Sequence, residues 1–164
     1  MFIPSIIFRA ALVFLLSMCG AIALAAERQI VISADSAQVN QRTQHIVYSG
    51  NVVIKREDFE LQAQRVEYTQ NDVRRVFKAY GEPVKVFWNS TVTTNLLNNA
   101  RADYIEYAEG NPRVLDMTGN AYIEVDHDSL ESETIHYNFD TELLKAKGGN
   151  KRRVRFVIMD QNGN

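Results

Sequence analysis

Hydrophobic and polar residues alternate along most of this chain. In one stretch Ile46, Tyr48, Gly50, Val52 and Ile54 share one parity, while Val47, Ser49, Asn51, Val53 and Lys55 share the other. A second stretch does the same, with Leu115, Met117, Gly119, Ala121, Ile123 and Val125 set against Asp116, Thr118, Asn120, Tyr122, Glu124 and Asp126. A period of two carried by β-branched and aromatic residues predicts strands with one buried face. Beyond the N-terminal segment no window of a dozen residues keeps a 3.6-residue period. The chain reads as all-β.

The two stretches are copies of each other. At a constant offset of 69, Gly50 and Asn51 map to Gly119 and Asn120, Ile54 to Ile123, Leu61 to Leu130, Val66 to Ile135 and Tyr68 to Tyr137. Related words, "ISADSAQV", "LQAQRVEY", "ARADYIEY" and "LESETIHY", place a small residue at Ala34, Ala63, Ala102 and Ser132. A glycine follows each of these, Gly50, Gly81, Gly119 and Gly148, after 16, 18, 17 and 16 residues. Successive units are 29, 39 and 30 residues long, a period that signals a repeat architecture. The longer middle unit carries "WNSTVTTNLLNN", a polar stretch expected to form a loop.

Apolar parity flips after the small residue. Leu61 and Ala63 are odd, then Val66 and Tyr68 are even; Ala102 against Ile105 and Tyr107, and Ser132 against Ile135 and Tyr137, do likewise. A one-residue slip sends side chains to the opposite face unless the strand bends there. Keeping both halves inward therefore predicts a corner at each small residue, and a rolled, two-sheet stack. The glycines fall within strands, at a second close approach where a Cβ would crowd the sheet. Such a stack leaves unpaired edges, here "QIVISAD" and "KRRVRFVIMD".

The first residues change the setting. Met1 to Ala26 hold one charge, Arg9, an apolar run and Ala23-Leu24-Ala25, the small-x-small pattern of a cleavage site. Residues 1–25 are accordingly expected to be a cleaved signal peptide, 26–160 one domain and 161–164 a tail. An uncleaved anchor is the alternative, since Ala10 to Ala26 reaches the lower edge of a membrane span. Bulky Met18 ahead of Cys19 argues against a lipoprotein. Cys19 is the only cysteine, so the domain stands without disulfides. The net charge of −2 offers no basic face for nucleic acid.

In order and spacing, "YSGNVVI", "AYGEPVKVFW", "MTGNAY" and "KGGNKRRVRFVI" resemble the OstA-like family of periplasmic lipopolysaccharide transport proteins, from about Gln29 to Met159. The resemblance implies an open β-jelly-roll of roughly 14–16 short strands, in the periplasm, without enzymatic activity or cofactor. It implies binding of lipopolysaccharide by its lipid A acyl chains. The implied partners are an LptC-like protein of the inner membrane, an LptD-like translocon of the outer membrane, and further copies of the chain head to tail. Inward parity assigns Ile30, Ile32, Tyr48, Val52, Ile54, Leu61, Val86, Tyr107, Leu115, Met117 and Ile123 to the apolar lining, with ordinary core packing as the alternative for each. Of these, Ile30, Ile32, Val86 and Tyr107 stand where the family contacts its lipid. Val154, Phe156 and Ile158 are assigned to the assembling edge.

Other features of the chain bear on this reading. An anchored, LptC-like component would share the fold and keep residues 10–26 attached. A secreted β-solenoid enzyme or carbohydrate-binding domain would need clustered acids or exposed aromatics, and Trp88 alone is thin support. "EVDHDSLESETIHY" gathers acids and two histidines, but turn residues at 126–129 and outward parity favour a solvated hairpin tip over a metal site. "KRRVR" offers phosphate or acidic-partner contacts; a charge-guarded edge strand is the simpler reading.

Overall fold

The computed structural model describes residues 29–57, 59–88, 97–125, 127–150 and 152–159. They form ten strands: β1 (Val31–Ser33), β2 (Ser36–Asn40), β3 (His45–Arg56), β4 (Phe59–Gln70), β5 (Arg75–Trp88), β6 (Leu97–Glu109), β7 (Val114–Val125), β8 (Asp128–Asn138), β9 (Leu143–Lys147) and β10 (Arg155–Val157). Among the described residues there is no helix. All pairings are antiparallel, in the order β1-β3-β4-β5-β6-β7-β8-β10, with β2 also on β3 and β9 also on β8. β1 and β2 are thus two pieces of one pass, as are β9 and β10, and the sheet is an up-and-down array of eight passes. The open all-β architecture agrees with the sequence. Its strands are fewer and longer than the short ones expected, because the six central passes run unbroken through their corners for 11 to 14 residues. Only the outermost passes break there.

Those corners line up. Register shifts fall between Ser49 and Val52 in β3, Gln62 and Arg65 in β4, Tyr80 and Val84 in β5, Arg101 and Tyr104 in β6, and Thr118 and Ala121 in β7. From Ser49↔Arg65 to Val52↔Ala63 the chain advances three residues on β3 and two on β4, an extra residue that bends the ladder. Repeated at one level in neighbouring passes, these bulges form a single crease that divides the sheet into two halves. One buried cluster draws on both halves: Val52, Val84, Val86, Ala100, Ile123 and Leu130 from one side of the crease, Val66, Ala79, Ile105, Leu115, Met117 and Ile135 from the other. The small residues sit where the halves meet, with Ala102 and Ser132 fully buried. Ser132 Oγ is satisfied there by donating to Thr134 O at 2.9 Å.

Two passes turn the crease with the same device. Gly50 and Asn51 have φ of +79° and +46°, and Gly119 and Asn120 have +76° and +50°. Each pair is two consecutive left-handed residues inside a strand, which glycine adopts freely and asparagine better than most residues. The side chain over each corner is an aspartate of the preceding pass. Asn51 Nδ2 donates to Asp35 Oδ2 at 2.9 Å, and Asn120 Nδ2 to Asp103 Oδ2 at 2.7 Å. A Cβ on Gly50 or Gly119 would lie 2.3 or 2.5 Å from the same carboxylates. The repeated "GN" is therefore half of a clasp whose other half is the aspartate after the small residue.

β5 turns with Gly81-Glu82-Pro83 instead, through a cis Glu82–Pro83 peptide. In the last unit the clasp position belongs to Gly149 rather than to Gly148, the glycine assigned from spacing. A Cβ on Gly149 would lie 3.0 Å from Glu133 Cγ, and Glu133 follows Ser132 as Asp103 follows Ala102. Gly148 has a different neighbour, the carbonyl of Arg152. Of the expected loop 88–99, Trp88 closes β5 and residues 97–99 already belong to β6; 89–96 lie outside the described residues.

Three of the four hairpins at one rim share a turn chemistry. Asn40, Asn71 and Asn138 each accept two backbone N–H bonds through Oδ1, from Arg42 and Thr43, Val73 and Arg74, and Asp140 and Thr141. These Asx turns satisfy the chain as it reverses.

The clasp can be tested by stability. Gly119→Ala is expected to cost about 1–3 kcal/mol, from left-handed strain and the clash with Asp103. Asp103→Ala, which removes one exposed hydrogen bond, costs about 1 kcal/mol. In urea unfolding the double variant should recover part of the Gly119→Ala loss, because the clashing carboxylate is gone; strict additivity would rule out the clasp.

Candidate functional site

Cross-strand register sorts the inward side chains into rows that cross every pass. On one side of the crease the row is Ile32–Ile54–Leu61–Val86–Ala100–Ile123–Leu130–Phe156. On the other side the row beside the crease is Ala37–Tyr48–Val66–Ala79–Ile105–Met117–Ile135–Ala146. Farther out runs Val39–Ile46–Tyr68–Phe77–Tyr107–Leu115–Tyr137–Leu144. Directly opposed residues on one face are the units of side-chain contact in a sheet. None of the three rows contains a charged residue.

Burial along and between the rows is graded. Beside the crease Val66, Ala79, Ile105, Met117 and Ile135 are all buried. One row out, Tyr68, Tyr107 and Tyr137 are half-buried and Phe77 is 37% exposed. The outer row is largely aromatic and its rings touch: Tyr68–Phe77 at 4.7 Å and Phe77–Tyr107 at 6.3 Å between centroids. Phe139, just past β8, joins it by edge contacts to Tyr107 and Tyr137 at 5.9 and 4.7 Å. At the opposite rim Phe59 meets Trp88 edge-on at 5.7 Å. The halves close on each other at the crease and leave partly uncovered apolar surface toward both rims. Burial raises the Tyr107 hydroxyl above its ordinary pKa, with the Glu109 carboxylate adding to the shift. Tyr104 and Tyr122, on the outer face, are raised by burial and then by hydrogen bonds to Glu106 and Glu124.

The rows also end without cover. At the first pass Ile32 is 39% and Val39 57% exposed, and at the last Leu144 is 40% and Phe156 58% exposed. Both edge passes are broken into pieces of three and five residues.

Each residue assigned from sequence now has a place. Val52, Val86, Leu115, Met117 and Ile123 are buried in the packed core, with Tyr48, Ile54, Leu61 and Tyr107 packed around it and half-buried. Ile30 and Ile32 lie exposed at the first edge. Val154, Phe156 and Ile158 lie exposed at the other, although only residues 155–157 of that segment are strand. The rows bring Tyr68 and Tyr137, inward by parity, into the same lining and add Phe77 and Leu144 to it. In the acidic stretch, β7 ends at Val125 and β8 begins at Asp128, and Asp126 lies outside the described residues. His136 Nδ1 lies 2.7 Å from Asp116 Oδ1 across that pair, and among the described residues no group of three potential metal ligands converges.

Residues 31–143 match the family model described as LptA/(LptD N-terminal domain) LPS transport protein. The chain belongs to that family. The lipopolysaccharide export system protein LptA of Haemophilus influenzae is 24% identical over 158 residues, spanning 94% of this chain and 90% of the relative. Among solved structures, LptH, the LptA-homologous periplasmic component of the lipopolysaccharide transport device of Pseudomonas aeruginosa, has the same fold. Its TM-score is 0.67 at 20% identity, covering 82% of this chain and 97% of that one. The LptA/LptD N-terminal family thus accounts for the open antiparallel roll and for lipopolysaccharide transport as the family's business.

Two measurements check the site's physical description. Ile123→Ala, in the packed middle of its row, should cost about 2–5 kcal/mol in denaturant unfolding. Ile32→Ala, in the same row at the open edge, should change stability by less than about 0.5 kcal/mol. Alkali gives the second. The raised tyrosines hold their protons in the folded chain when those of the unfolded chain ionise near pH 10, about their ordinary value. Their contribution to stability is complete below that pH and is lost as pH rises further, so the melting temperature should begin to fall there. Ultraviolet titration should show part of the tyrosine set ionising late.

Proposed function

We infer that this chain carries lipopolysaccharide through the periplasm, sheltering acyl chains of lipid A between the two halves of its roll. The supporting observation is the set of apolar rows, free of charge, that cross all eight passes and become less covered away from the crease. Each buried methylene is worth roughly 0.8 kcal/mol, so a continuous apolar surface holds a chain without any catalytic group or cofactor. Equivalent rows in successive passes give successive equivalent stations along one path. Movement along it needs no new chemistry at each step.

The same reading assigns the edges. A bare edge strand offers unpaired backbone groups to another strand, and the broken first and last passes each present exposed apolar side chains beside them. Docking the last pass of one copy against the first pass of the next would join row to row, Phe156 beside Ile32 and Leu144 beside Val39. An LptC-like protein and an LptD-like translocon would occupy the terminal edges in the same manner, and the assembly would bridge the two membranes.

Photo-crosslinking in cells tests the path. Probes at Ile32, Leu61 and Tyr107 should give lipopolysaccharide adducts, and a probe at exposed Glu57 should give none. Absence of adducts at all three path positions would overturn the transport reading. Light scattering tests the edges: the protein should grow in mass with concentration, and Phe156→Asp should hold it as a monomer while its melting temperature stays unchanged. A strict monomer at high concentration without the substitution removes the head-to-tail assembly.

A further inference from the structure

The outer face carries a feature that the apolar path does not use. Beside the buried row containing Ala100, Ile123 and Leu130 runs its outward neighbour, Arg101–Tyr122–Glu131–Arg155, paired residue by residue across β6, β7, β8 and β10. With Arg152 and Arg153 these side chains bound a depression of about 590 Å³ at the crease. It holds four guanidiniums and one carboxylate, on a chain whose net charge is −2.

That carboxylate does not answer the four. Glu131 Oε1 stands 4.0 Å from Arg101 Nη2 and its Oε2 3.8 Å from Arg155 Nη1, both at the far limit of an ion pair. Arg152 and Arg153 make no ion pair with a described carboxylate. Asp103, near the same corner, accepts from the Asn120 amide, and the Glu133 side chain lies against Gly149 without an ion pair to any described arginine. The Arg101 guanidinium lies over the Tyr122 ring at 4.3 Å, which fixes its plane before any ligand arrives. The turn after β9 delivers the other two. Gly149 N donates to Arg152 O at 2.8 Å, and a Cβ on Gly148 would lie 2.5 Å from that same carbonyl. Guarding an edge strand accounts for Arg153 and Arg155, but Arg101 lies on β6, well inside the sheet, and needs no guard.

We propose that this depression is a binding site for phosphate-type anions, with Arg101, Arg152, Arg153 and Arg155 as its donors. A carboxylate presents two coplanar oxygens and suits one guanidinium fork. A phosphate or pyrophosphate carries more charge, and its tetrahedral oxygens can meet forks arriving from several directions. The site is on the face opposite the apolar rows, so it serves a phosphate outside the roll, either on a lipid headgroup or in a soluble compound.

Titration of the ¹⁵N-labelled protein with sodium pyrophosphate at low salt reads the site directly. The amides of Asn120, Tyr122, Arg153 and Arg155 should shift saturably, and added NaCl should weaken the binding. Arg152→Ala/Arg153→Ala should raise the Kd about tenfold or more, the scale of a lost charge-assisted contact. Glu131→Gln, which removes the resident competing carboxylate, should lower it. Both variants alter exposed or half-buried side chains, and an unchanged melting temperature confirms that they fold. Co-sedimentation with phosphatidylcholine vesicles, with and without phosphatidic acid, separates the sources. Retention only on phosphatidic acid, lost in the double variant, assigns a lipid headgroup; pyrophosphate shifts without retention assign a soluble phosphate. No saturable shift, or a Kd indifferent to the double variant, overturns the proposal. The crosslinks from Ile32, Leu61 and Tyr107 do not involve this face, so either reading can fail while the other stands.

Discussion

Everything in this molecule follows from the need for each pass to turn a corner at the same level. A strand alternates its side chains strictly, so a bend that is not matched by a slip in register would send one half of its apolar set into water. The chain meets the condition with an extra residue at one level in pass after pass, and the crease is the sum of those local solutions. With the crease fixed, the apolar rows of both halves are held facing one another and the charged rows face outward. The ion pairs Lys55–Glu60, Arg65–Glu67 and Arg75–Glu109 each join an exposed cation to a half-buried carboxylate at the surface, and such pairs add little stability. They keep the outside wet while the inside holds the fold.

Much of this was legible before any coordinates. The parity flip between Ala63 and Val66, repeated at Ala102 and Ser132, specifies a corner because strand periodicity leaves no other way to bury both Leu61 and Val66. Gly50 and Gly119 were readable as strand residues for the same reason. What could not be read was partnership. Parity gives the face of Tyr68 but not that Phe77 lies beside it, because that register depends on the length of the turn at Asn71, which leaves only an asparagine as a trace. The last-unit glycine was misplaced for a related cause. Spacing alone cannot choose between adjacent Gly148 and Gly149; the contact with Glu133 can. Strand length was hidden too, since a bulge and a break look alike in sequence, and only the edge passes break.

The distribution of burial connects the fold to the transport reading. A roll packed equally tightly throughout would be a stable domain with no room for a guest. Here Met117 and Ile135 are sealed at the crease while Phe77 and the ring of Tyr107 are only partly covered. On the transport reading, stability and capacity belong to different rows of the same sheet. The aromatic outer row suits a boundary, since tyrosine offers an apolar body and a polar tip.

The clasp has one more implication. Because Asp35 holds Asn51 and Asp103 holds Asn120 at the same height, the repeat is closed with respect to its own cross-section: a further pair of passes inserted between units would meet the same crease and continue the same rows. The width of the roll is set by local chemistry within a pass, while its length is set only by how many passes are strung together. A further hairpin would therefore lengthen the apolar rows without redesigning them, and copies docked edge to edge would differ from one longer chain only in where the peptide bonds stop.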